Sequence, residues 1–294
     1  MTPSITPIIG FAHLTDLPCW ELTYGNASVV VSAYGAHVLH YGLKPSAQQK
    51  AEPSSTQLWL SPTAVWQGQQ PIRGGVPICW PWFGKIDPTL VAKIDPQRVD
   101  GLKLPNHGLV RTRLWQQTDA VIEADNVRIE LSLKVDDIPW HPEPVTLRYQ
   151  VRLAEQLTLT LSCDAPIAQQ AALHSYFAVS DSRTVQVKPL PAAYYDKVTD
   201  AQCLSQSEVL QFVGETDRVY PKTADTLTLT DHATQLHISQ QGHDASVLWN
   251  PAAEKAAASS DIPATQWAEF VCIESARLTL DAAPLSLVQI IRPQ

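Results

Sequence analysis

The chain has 294 residues, enough to bury a sizeable core as one large β domain or two ordinary ones. Its formal net charge is −8 with no Lys/Arg-rich run, so neither nucleic acid nor an anionic membrane is an expected partner. A small phosphorylated ligand stays open, because two or three local arginines suffice to hold one.

The opening MTPSITPIIGFAHL lacks the basic and long apolar regions of a signal peptide. No segment reaches the roughly 18–20 apolar residues of a membrane-spanning helix. Cys19, Cys79, Cys163, Cys203 and Cys272 are odd in number and show no CxxC or zinc-type spacing. Reduced thiols are the expectation, and with them a cytoplasmic location.

In chain order, short β-patterned runs stand at Ala27–Val31, Val38–Tyr41, Val127–Val135, Val145–Leu153, Leu157–Cys163 and Ser286–Ile291, with Leu227 and Leu229 in a further one. In Val127–Val135, Val127, Ile129, Leu131, Leu133 and Val135 alternate with Arg128, Glu130, Ser132 and Lys134, which is the period of a strand with one buried face. Leu157, Leu159, Leu161 and Cys163 repeat it. Many short strands without βαβ alternation predict an all-β fold, a large antiparallel sandwich or barrel. Lys44–Gln57, Lys85–Asn106 and Pro251–Pro263 read as long loops, the last with a turn or two of helix at EKAAASS. None resembles a linker, so 1–294 is expected to form a single domain.

Five stretches could carry chemistry. Arg73 opens RGGVPICWPWFG, where paired glycines permit a sharp turn and Trp80 and Trp82 offer flat faces for a sugar ring or, equally, core filling. His107 and Arg111 stand in NHGLVR, where a loop meets a strand. His174 is a lone imidazole within the apolar run AALHSYFAV, either a hydrogen-bonded core residue or a proton donor near neutral pH. Glu274 follows four apolar residues in EFVCIES; buried, its carboxyl would have a raised pKa useful to a base, whereas at a strand end it would reach solvent. Asp217 lies in the polar turn GETDRVY.

Taken together with WNP (249–251) and SSD (259–261), these segments resemble, in order, those of the hexose-6-phosphate mutarotases of the aldose 1-epimerase superfamily. One departure is Ala252 after WNP, where relatives often have a bulkier residue. The resemblance implies a galactose mutarotase-like β-sandwich with its sugar site on a concave sheet face. It implies His174 as general acid and Glu274 as general base, His107 and Asp217 on sugar hydroxyls, and Arg73 and Arg111 favouring a phosphorylated substrate, with Trp82 a candidate sugar platform. The implied reaction interconverts the α and β anomers of an aldohexose 6-phosphate. One base removes the C1 hydroxyl proton, one acid on the opposite side of the anomeric centre protonates the ring oxygen, and the aldehyde turns and recloses. Neither metal nor redox cofactor is called for, and the nine histidines show no HExxH spacing. The competing readings are a free-aldose mutarotase, a non-catalytic sugar-binding module, and a glycosidase using Asp217 and Glu274 as its carboxylate pair. Oligomeric state is not readable.

Overall fold

The alternation at 127–135, 145–153 and 157–163 is realised as strands with those bounds, Val127–Val135, Val145–Leu153 and Leu157–Cys163, each burying every second side chain. The computed structural model describes residues 2–43, 55–68, 70–94, 104–232 and 234–294. Within them the three strands are neighbours in a nine-stranded antiparallel sheet, which Leu285–Pro293 continues beside Leu157–Cys163.

Two further antiparallel sheets complete the fold. Ser4–Phe11, Leu14–Tyr24, Ala27–Ser32, Val38–Leu43 and Ser55–Thr56 form a five-stranded meander in sequence order. An eight-stranded sheet carries Phe270–Asp281 in its interior, between Ala245–Asn250 on one side and Gln169–Leu173 with Tyr176–Ala178 on the other. The meander packs on Val127–Val135 and Val145–Leu153, and Phe270–Asp281 and Gln169–Leu173 meet Leu285–Pro293. Val29, Leu131, Tyr149, Leu161, Leu173 and Ile273 accordingly share one buried cluster. Each such aliphatic side chain contributes about 1.5–3 kcal/mol when fully buried.

Helix is scarce, as the sequence predicts. Pro88–Val91 and Ala252–Ala257 are single short helices, the second at EKAAASS. Residues 44–54 and 95–103, from the two other long loops, lie outside the described residues.

Phe270–Asp281 is buried on both faces over its first eight residues. Val271 and Ile273 enter the core cluster, whereas Phe270, Cys272 and Ala276 belong to clusters on the opposite face. Glu274 shares that opposite face by period two. A buried polar link ties the layers together: Ser175 Oγ donates to Gln289 Oε1, and Gln289 Nε2 donates to Ser275 Oγ at 2.9 Å.

Candidate active site

Leu173 pairs with Ser275 and Tyr176 with Cys272, which places His174 directly opposite Glu274 across the ladder. Opposed side chains on one sheet face are near neighbours, and His174 Nε2 lies 3.3 Å from Glu274 Oε1. Cross-strand register thus sets the His174 and Glu274 side chains side by side. His174 is 8% exposed and Glu274 1%. Burial, reinforced by His107 and the nearby arginines, drives the His174 pKa well below its ordinary value. Burial and then the neighbouring Asp217 charge drive Glu274 well above the usual carboxylate range. The two shifts put the pair's resting proton on the carboxyl, leaving imidazole neutral.

Val219 pairs with Val247 and Val247 with Glu274, while Asp217 pairs with Trp249. Asp217 and Trp249 thus reach the same face one step along the sheet. Burial raises the Asp217 pKa, and Lys197, whose Nζ is 3.2 Å from Oδ1, pulls it back. The Lys197 ammonium also lies 5.4 Å from the centre of the Phe83 ring.

His107 enters from the NHG turn, held by the backbone. Its N–H donates to Gly84 O at 2.7 Å, and Gly84 N–H donates to His107 Nδ1 at 3.3 Å. The Cys79 thiol is also 3.3 Å from Nδ1. With Nδ1 accepting, the ring proton is assigned to Nε2, a neutral donor. Burial, with Arg111 and Lys197 nearby, lowers the His107 pKa to about 3. The turn needs its glycine: at φ 80, a Cβ on Gly108 would stand 1.9 Å from Trp80 O. The Gly74-Gly75 turn is just as tight, with a Gly75 Cβ 2.2 Å from Val38 O. His37, 1% exposed, has Nε2 2.6 Å from Gly74 O beneath this turn.

These groups line a cavity of about 1010 Å³ whose wall includes Arg73, His107, His174, Asp217 and Glu274. Phe83 and Trp249 supply its aromatic faces, and Lys85, Lys197 and Lys255 add positive charge. Arg73 Nε donates to Asp261 Oδ2 at 2.9 Å and Nη1 to Tyr176 Oη at 2.8 Å. Against the cost of burial, Tyr176 and Asp261 hold this guanidinium more firmly protonated than usual. That pairing accounts for the SSD segment.

Two expected site residues are absent from the cavity wall. Trp82 is fully buried, its Nε1 donating to Pro105 O at 2.9 Å, and Trp80 likewise is core, donating to Gln169 Oε1 at 2.7 Å. Both fill the interior, and the aromatic rings on the cavity wall are those of Phe83 and Trp249. Arg111 does not border the cavity; its Nη2 donates to Asn106 O at 2.5 Å, which clamps the turn carrying His107. Ala252, at φ 54, is also absent from the cavity wall. Lys197 and Gln170 lie outside the segments noticed in the sequence, whereas Phe83, Trp249 and Lys255 lie inside them without being singled out.

The chain is similar to known proteins along nearly its whole length. The family model for aldose 1-epimerase matches residues 18–285. An Escherichia coli K12 protein provisionally named glucose-6-phosphate 1-epimerase is 30% identical over 277 residues, 92% of this chain and 87% of that one. The crystal structure of a provisionally assigned Salmonella typhimurium mutarotase superposes with a TM-score of 0.82 at 26% identity, covering 98% of this chain and 96% of the other. Galactose 1-epimerase from Lactobacillus acidophilus shares the fold, with a TM-score of 0.71 at 12% identity over 100% of this chain and 99% of its own. The protein belongs to the aldose 1-epimerase family and is an anomer-interconverting epimerase with the galactose mutarotase-like fold.

Proposed function

We propose that this epimerase acts on an aldohexose 6-phosphate, glucose 6-phosphate first, with Glu274 as base and His174 as acid. The observation that carries the reading is the contact of the pair, 3.3 Å apart on the wall of a cavity that four cationic side chains also line. The reacting oxygens, O1 and O5, are bonded to the same carbon, so adjoining acid and base can meet both at once. The pair holds one proton. It crosses from Glu274 Oε1 to His174 Nε2 when substrate binds; Glu274 then takes the O1 proton while His174 protonates O5. The C1–O5 bond breaks, its electron pair leaves with O5, and the C1–O1 carbonyl forms. Rotation about C1–C2 and the reverse transfers give the other anomer with the pair restored.

His107 Nε2–H and the Asp217 carboxylate are suited to sugar hydroxyls, donor and acceptor respectively. Phosphate recognition is assigned to Arg73 with Lys85. Lys197 and Lys255 are matched by Asp217 and Glu215, whereas Lys85 has no carboxylate partner among the described residues. The cavity wall carries four cations and four carboxylates, Asp87, Asp200, Asp217 and Glu274, so support for an anionic substrate comes from this unpartnered Lys85 and from the names of the relatives. The five unpaired cysteines fit a cytoplasmic setting. No helix among the described residues is long and apolar enough to cross a membrane.

Exchange NMR between the anomers of glucose 6-phosphate and of glucose, with the spontaneous rate subtracted, tests the reading. A larger kcat/KM on the phosphate supports it. Equal values would leave a free-aldose mutarotase.

A further inference from the structure

His174 lacks the usual means of fixing a catalytic imidazole. Nε2 faces Glu274, and Nδ1 finds no hydrogen-bond partner on any other of the described residues. Hydrogen bonding at the far nitrogen therefore does not set the plane of the ring. Packing does. Tyr176, two residues on and on the same strand face, lies flat on the imidazole with centroids 4.9 Å apart and planes 9° from parallel. Beyond it stand Phe270 at 5.3 Å and Trp59 at 6.1 Å, themselves stacked at 4.3 Å. Tyr176 is 1% exposed, so its ring has no room to swing.

The other end of this tyrosine reaches a different part of the cavity. Its hydroxyl accepts from Arg73 Nη1 at 2.8 Å, while Arg73 Nε is held by Asp261. Backbone bonds run alongside: His174 N–H donates to Pro77 O at 3.0 Å and Tyr176 N–H to Gly75 O at 2.9 Å. The turn that presents Arg73 and the strand that presents His174 are therefore one hydrogen-bonded unit, with Tyr176 joining their side chains.

We propose that Tyr176 is a positioning residue whose ring sets the plane of His174 against Glu274, and whose hydroxyl couples that ring to Arg73 when Arg73 engages an anionic substrate group. The coupling half rests on the assignment of Arg73 to phosphate given above; the stacking half does not. A group remote from the reacting centre then influences turnover as well as affinity, because small displacements of a proton donor carry large rate costs.

Two variants and one spectrum test this. Tyr176→Leu removes the stack and is expected to lower kcat about tenfold or more on both glucose and glucose 6-phosphate, with a smaller change in KM. Tyr176→Phe keeps the stack and removes the link, so kcat on glucose 6-phosphate falls by the larger factor and the ratio of the two kcat values drops. A folded Tyr176→Leu protein with wild-type kcat would overturn the positioning role, and a wild-type kcat ratio in Tyr176→Phe would overturn the coupling. Arg73→Ala, run in parallel, separates the two ideas: an unchanged substrate ratio there indicts the phosphate assignment alone. Should Tyr176→Leu not fold, carbon-edited NMR of the His174 ring protons decides the stack. Upfield ring-current shifts in wild type and Tyr176→Phe support it, and unshifted resonances overturn it.

Discussion

His174 and Glu274 are cross-strand partners, with Nε2 and Oε1 3.3 Å apart in a nearly solvent-free setting. In the proposed mechanism the pair must carry one proton, and the shifts widen the pH range over which it does. A second proton must go onto His174, whose burial lowers its affinity, so the acid limb of kcat/KM falls below the ordinary histidine range. Losing the only proton means ionising Glu274, whose burial raises its pKa, so the alkaline limb lies above the ordinary carboxylate range. A pH–rate profile with an acid limb at or above about 6.5 would contradict this.

In the proposed mechanism, removing either member of the pair stops the relay. Glu274→Gln and His174→Ala are each expected to lower kcat by about 10²–10⁴, the usual effect of losing a positioned proton-transfer group. Wild-type turnover in either folded variant, after subtraction of the spontaneous rate, would remove that residue from the mechanism.

The arginines separate substrate recognition from loop support. Arg73→Ala is expected to reduce the glucose 6-phosphate to glucose ratio of kcat/KM by about 1.5–3 kcal/mol, the scale of a hydrogen bond to a charged group. Arg111→Ala frees the turn that carries His107, so it lowers thermal stability and slows both substrates alike. An unchanged ratio in Arg73→Ala would leave a general aldose mutarotase.

Some of this was legible in the chain and some was not. Val127–Val135 could be bounded to the residue because alternate burial is written in adjacent positions. His174 and Glu274 stood out because each interrupts an apolar run. Their contact was not legible, since it depends on the register of two strands far apart in sequence. Lys197 and Lys255 come from a hairpin turn and a short helix whose sequences look like ordinary surface. Trp82 misled for a related reason: an aromatic beside glycines and prolines fits a sugar platform or a core plug equally well, and only the path of the chain decides.

Stability is expected to decline with acid through the buried histidines. Burial lowers the His37 pKa to about 4, against 6.5 for the free side chain. The unfolded chain therefore takes up a proton that the folded one refuses, and stability is lost as pH falls from about 6.5 through 4. Glu274 acts in the opposite sense: with its folded pKa raised, its contribution is present in acid and is lost as pH rises. His37→Gln, which keeps an N–H for Gly74 O, isolates the histidine. Its denaturation midpoint should fall less between pH 7 and 4 than that of wild type, and parallel curves would refute the assignment.

Chelation should leave the rate untouched. The proposed ring opening needs one proton donor and one acceptor, the roles assigned to His174 and Glu274, and no group of three or more His, Cys, Asp or Glu among the described residues could hold a metal ion. Activity lost to a chelator and restored by one divalent ion would contradict this.

Gln289 bonds Ser175 and Ser275, the residues immediately after His174 and Glu274, from within the opposite layer. One amide thereby anchors both halves of the proposed pair to the centre of the sandwich, the part of a fold that generally opens only with the whole molecule. Fraying of the outer hairpins leaves that anchorage intact. Heat inactivation should then follow a single sigmoid coincident with loss of tryptophan fluorescence, with no earlier phase in which a folded protein has already gone silent.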